Sequence, residues 1–186
     1  VSLEKPARKG TPSHPVRATT WARSSLANTM DDGHHRGMKT IFESAGGTGG
    51  LQRLASAWHR RVMADEVVGH AFSHGFHPQH VERLAAYWAE ALGGPSTYSE
   101  FYGDETFVVK MHSGNGEHDE MDRHAIACFD QALDDVGLTE DAVLRNVLHD
   151  YFAWATTPTM TRYKQSADDL PKGLNIPRWS WDGRQL

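Results

Sequence analysis

The run Gly93-Gly94-Pro95-Ser96-Thr97-Tyr98-Ser99-Glu100 decides the fold class, because it stops one helix and separates it from the next segment. Two glycines followed by proline form a helix terminator: glycine takes the backbone past the last turn and proline cannot continue it. Upstream, Pro78 suits the first turn of a helix, and His80, Leu84, Tyr87, Trp88 and Ala91 share one face at offsets of three and four. Downstream, a loop over Tyr98 to Glu105 leads into Thr106-Phe107-Val108-Val109-Lys110-Met111. That run has strand propensity, but its surroundings are helical and a short helix is expected.

The same periodicity extends in both directions. Toward the N-terminus, Thr48 is expected to cap a helix whose inner stripe is Leu51, Leu54, Ala55, Trp58 and Val62. A short helix from about Glu66 to Phe72 and a turn, Ser73-His74-Gly75-Phe76-His77, follow it. Toward the C-terminus, Glu117, Asp119, Glu120 and Asp122 open a helix where acids suit the positive end of the dipole, and Met121, Ala125, Cys128, Phe129, Ala132 and Leu133 form its buried stripe. The last helix is expected to start at Thr139, with Glu140 and Asp141 behind, and to bury Val143, Leu144, Val147, Leu148, Tyr151, Phe152 and Ala155. No hairpin or alternating strand stands out, so the class is all-α.

The 186 residues suffice for one domain with a sizeable core. Cys128 is the one cysteine, which excludes an internal disulfide and a cysteine-based zinc finger and fits a reducing, cytoplasmic setting. Residues 1–40 carry a net charge of +4, from seven basic and three acidic side chains, whereas the remainder carries −9, which together make the overall −5. An acidic globular part argues against nucleic acid as a partner. No apolar run is long enough to span a bilayer. Residues 1–39 are basic and rich in Pro, Ser, Thr and Gly, and read as a flexible extension. They contain no apolar core of a secretory signal, and a first residue Val in place of Met fits a trimmed chain. Residues 158–186 end in Pro177-Arg178-Trp179-Ser180-Trp181, where two indoles suggest docking onto the domain over residues 40–157.

Twelve histidines are more than a surface of this size usually carries. His14, His34 and His35 lie in the extension, and His118, His124 and His149 lie off the apolar stripes, so solvent-exposed roles are expected for the latter three. His70, His74, His77 and His80 are spaced 4, 3 and 3, but Gly75 and Pro78 interrupt them and no carboxylate or cysteine converges, which disfavours zinc. His80 and His112 stand apart. His80 shares a face with Leu84 in an otherwise apolar stripe, and a buried imidazole without a partner costs roughly 1–3 kcal/mol. His112 follows Phe107, Val108, Val109 and Met111 and precedes Ser113-Gly114-Asn115-Gly116, which breaks the helix. From the residues alone each reads more readily as a satisfied core histidine than as a ligand. Two inward histidines among Trp, Phe, Tyr and Met would suit a flat apolar macrocycle holding iron.

The segment from about Thr40 to Thr157 resembles the second group of truncated haemoglobins. The ordered fragments are Phe42-Glu43-Ser44-Ala45-Gly46-Gly47, Val62-Met63-Ala64-Asp65-Glu66-Val67, Glu82-Arg83-Leu84, the Gly93 to Glu100 run, Met111-His112 and Asp150-Tyr151-Phe152. The resemblance implies a truncated globin fold, a two-over-two helical sandwich, flanked here by N- and C-terminal extensions. It implies haem b, iron protoporphyrin IX, with His112 as the proximal iron ligand. It further places Phe72 against the porphyrin, Leu84 on the distal wall, Arg83 at a propionate and His80 at the distal gate, with Trp88 as a pocket wall and Tyr98, Phe107 and Met111 as further cofactor contacts. The sequence departs from the family at two points: His59, after Trp58, stands where Tyr is usual, and Ala125, beside His124 and Ile126, stands where Trp is usual.

The implied function is reversible binding of oxygen, nitric oxide or carbon monoxide, with nitric oxide dioxygenase activity as an extension of it. His80 and His59 would carry the distal chemistry by donating a hydrogen bond or moving a proton. A haem peroxidase-like enzyme is the alternative, and a non-haem helical interaction module the second alternative. A recycling reductase and a second copy of the chain are the macromolecular partners such a protein would take.

Overall fold

The computed structural model describes residues 39–73, 75–114, 116, 118–159, 166, 168 and 170–185. The basic N-terminal extension with His14, His34 and His35, together with His74 and Glu117, lies outside them. Among the described residues the α-helices are α1 (Ile41–Ser44), α2 (Gly47–Ala64), α3 (His80–Ala91), α4 (Thr97–Phe101), α5 (Glu105–Met111), α6 (Asp119–Asp135) and α7 (Ala142–Trp154). A 3₁₀ turn, Val68–Phe72, joins α2 to the loop before α3, and a π-helical turn, Ala155–Thr159, extends α7. The apolar run 106–111 is therefore helix. The tertiary setting overrides its β-branched propensity, and the Asp104 carboxylate caps α5 by accepting from the Phe107 amide at 2.9 Å.

Two of the expected caps sit elsewhere. Gly46 and Gly47 both have positive φ, so the chain turns there and Thr48 is already inside the first turn of α2. The threonine that caps is Thr40, in a reciprocal capping box with Glu43 at the start of α1. At α7 the cap is Asp141 in place of Thr139: its carboxylate accepts from the Val143 and Leu144 amides. Val143, in that first turn, is 67% exposed and not part of the buried stripe. Pro78 precedes α3 in a turn rather than occupying its first turn.

Helix α2 packs on α3 and on α6, and α6 packs on α7, which makes the two-over-two sandwich. Its centre is aromatic. Phe129 and Phe152 stack with ring centroids 4.1 Å apart, and Trp88 and Trp58 meet them edge-on. The Trp58 indole donates to the Ala125 carbonyl at 3.1 Å, which ties α2 to α6 through a satisfied buried donor. Gly94 is where α3 turns under α1: a Cβ there would lie 2.7 Å from the Ala89 carbonyl oxygen and 2.8 Å from the Phe42 ring.

A short antiparallel hairpin, β1 (Trp179–Ser180) with β2 (Gly183–Arg184), corrects the expectation that no hairpin is present. Its turn is Trp181-Asp182, followed by Gly183 at positive φ. The Trp179 ring lies against Tyr151 and Trp154, and Ile176 is buried in the core.

Candidate functional site

His112 closes α5, and its Nδ1 lies 2.8 Å from the Val108 carbonyl. A carbonyl only accepts, so Nδ1 carries the proton and Nε2 keeps its lone pair. The ring has exposed surface, yet protein around it desolvates it and pulls its pKa below the ordinary imidazole value. Phe107 and Met111, on the same helix, are 43% and 55% exposed.

His59 from α2 and His80 from the first turn of α3 lie with ring centroids 5.0 Å apart. Phe72 stands edge-on to both, 5.7 Å from His59 and 5.4 Å from His80. The Nδ1 atoms of both histidines are buried without a hydrogen-bond partner. Desolvation, then repulsion from His59 and His112, lowers the His80 pKa to about 4, and desolvation lowers that of His59. Both imidazoles are therefore neutral at pH 7.

Arg83 lies beside this group, with its guanidinium 5.1 Å from the centre of the Tyr102 ring and its Nε buried without a partner. Leu84 is half-buried against the core. Trp88 and Tyr98 are placed otherwise: Trp88 belongs to the central aromatic core, and Tyr98 packs on Tyr87 and Tyr102 between α3 and α4. The structure thus brings His59, His80 and Phe72 together and leaves Trp88 and Tyr98 outside that cluster. Ala125 lends its carbonyl to Trp58, so that indole is occupied and donates nothing to the histidine cluster.

Three features escaped the sequence reading. Phe76 lies 4.6 Å from His59, and the one signal for it was an aromatic inside a polar turn. Glu105 is buried and accepts from the Tyr87 hydroxyl at 2.7 Å; in sequence it was one more acid at a helix start. His118, His124 and His149 are not simply solvated: each Nδ1 pairs with a carboxylate, those of Asp122, Asp65 and Asp130, at 2.8, 2.9 and 2.8 Å. His118 departs from the expected exposure, its side chain only 17% exposed beside Asp122 one turn on in the same helix, whereas His124 and His149 keep the expected exposure, at 41% and 40%, with acids from other elements. Among the described residues no three His, Cys, Asp or Glu gather as a metal site, and no helix is long and apolar enough to cross a membrane.

The model of the bacterial-like globin family matches residues 40–155, and the chain belongs to this family of truncated globins. It is similar to the group 1 truncated hemoglobin GlbN of Synechocystis sp., 28% identical over 109 residues, which are 57% of this chain and 85% of that protein. The structure superposes on the haemoglobin of Chloroflexus aurantiacus with a TM-score of 0.57 and 27% identity, over 66% of this chain and 98% of that one. It shares the fold of the group II truncated haemoglobin of Bacillus anthracis, with a TM-score of 0.58 and 19% identity over 69% and 93%. The globin family implies haem. The residues fit such a group: a histidine with its tautomer set and Nε2 available, two exposed apolar side chains, Phe107 and Met111, on the helix that His112 closes, and an unpartnered Arg83 Nε suited to a carboxylate.

Proposed function

We propose that this chain binds haem b through His112 Nε2 and takes oxygen, nitric oxide or carbon monoxide on the face bordered by His80 and His59. The observation that carries the reading is the His112 to Val108 bond, together with two neutral imidazoles whose Nδ1 atoms have no protein partner. Haem, when bound, would supply an iron able to take up a small diatomic ligand, and His112 Nε2 would hold it. The Val108 carbonyl holds the His112 ring in one tautomer and orientation. His80 and His59, uncharged at pH 7, each offer a single N–H donor to a ligand carrying partial negative charge, in a site where low dielectric strengthens that bond. Phe72 and Phe76 pack edge-on against them.

Absorption spectra of the purified chain in ferric and ferrous form, with and without carbon monoxide, test this. A Soret band that shifts with carbon monoxide is expected, and His112→Ala should abolish or greatly weaken haem retention while the helical circular dichroism persists. A chain that takes up no hemin overturns the reading and leaves the helical interaction module. The low His80 pKa favours one second reading: a neutral imidazole able to accept a proton from peroxide is what a peroxidase-like enzyme needs. Stopped-flow mixing with peroxide and an aromatic donor separates the two. Nitrate formation from nitric oxide by the oxygenated protein tests dioxygenase activity, which would need a reductase partner.

A further inference from the structure

The segment beyond the family's matched region is fastened to the helix that ends at His112. Thr106, in the first turn of α5, accepts from the Leu174 amide at 3.0 Å and donates to the Pro171 carbonyl at 3.3 Å. Four residues further on, Arg178 donates to the Glu90 carbonyl, and its second nitrogen lies 3.2 Å from both Glu90 Oε1 and Ser96 Oγ. Glu90 is buried, and its carboxylate also accepts from Ser99. Trp179 then lies on Tyr151 and Trp154 of α7, and the Trp181 indole donates to the Lys39 carbonyl at 2.8 Å. Residues 170–185 therefore cross α5, the corner between α3 and α4, α7 and the start of the domain.

Helix α5 needs such an anchor. It has seven residues, well below the roughly 12–15 at which an isolated helix becomes even marginally stable. Its buried side chains are Val108, Val109 and a carboxylate, Glu105. It runs on into Ser113, which bonds back only to α5 itself, and then Gly114 and Gly116, both at positive φ. Hydrogen bonds link its side chains to other elements at Glu105, through Tyr87, and at Thr106, through the C-terminal segment.

We propose that residues 170–185 form a strap whose latch at Thr106 positions α5, and through it His112. Thr106 is a positioning residue: it acts through the helix and reaches no ligand itself. The consequence for haem rests on the reading of His112 given above, while the mechanical part does not.

The test uses the full chain, haem-free and after hemin loading, with Thr106→Val and Thr106→Ser. Valine keeps the shape and removes both hydrogen bonds; serine keeps the hydroxyl. In the haem-free chain, Thr106→Val is expected to speed amide hydrogen exchange across 105–112 by about five- to thirtyfold, the loss of one to two net hydrogen bonds, with α2 and α7 unchanged. Hemin release to excess apomyoglobin should quicken by a similar factor, and Thr106→Ser should restore both rates. Unchanged exchange in α5 overturns the strap, and so does an equal rise in α2 and α7, which would mean a general loss of stability. Selective exchange in α5 with unchanged hemin release overturns its hold on His112. Failure of every variant to take up hemin defeats the haem reading, and the exchange data still decide the strap.

Discussion

Glu105→Gln is expected to stabilise the protein at alkaline pH and to leave it nearly unchanged in mild acid. Glu105 is 3% exposed. Burial pushes its carboxyl up from 4.5 to about 7, the Tyr87 hydroxyl bond works against that rise, and the negative charge of Asp104 adds to it. The folded state therefore holds this proton more tightly than the unfolded chain does. The stability it contributes is complete below pH 4.5 and is lost as the pH rises through about 7. The gap between 4.5 and about 7, at about 1.4 kcal/mol per pH unit, makes the loss about 3 kcal/mol. Glutamine removes the ionisation and keeps an oxygen to accept from the Tyr87 hydroxyl at the same place. Urea titrations of the haem-free chain at pH 5 and pH 8, followed by tryptophan fluorescence, should show the variant gaining on the wild type by an amount approaching that figure between the two conditions. Other titrating groups cancel in the difference. An equal offset at both pH values, or a variant that loses ground at pH 8, would refute the assignment of a buried, proton-holding carboxyl under α5.

Two further outcomes follow from the same structure. His80 has its pKa lowered, so its contribution is intact above about 6.5 and is lost as the pH falls toward about 4; His80→Leu should gain stability relative to wild type over that window in acid denaturation, and a constant difference would count against a desolvated imidazole. Asp141→Ala should destabilise by about 1 kcal/mol through loss of the α7 cap, with Thr139→Ala close to neutral in the same thermal melts, and the reverse order would restore Thr139 as the cap.

The helical order and the position of His112 after an apolar run were legible because helix periodicity and Gly-Pro breaks are local properties. The run 106–111 shows the limit: its β-branched residues point to strand, and only its neighbours make it helix. The caps at Thr48 and Thr139 were misplaced by one short segment each, because two adjacent glycines at positive φ and a competing Asp141 decide where the first turn begins. Phe76 and Glu105 were not legible at all. A turn aromatic and a helix-start acid look ordinary until the elements that cover them are in place.

Sequence by itself determined the class, the order of helices and the resemblance to a globin that the family match bears out. Tertiary structure decided that His59, His80 and Phe72 meet, that Glu105 loses its water, and that a segment beyond the globin domain reaches back to Thr106. The reason is range. Periodicity and capping act over a few residues, whereas desolvation and the bond from Leu174 to Thr106, 68 residues apart, depend on neighbours that only the folded chain supplies.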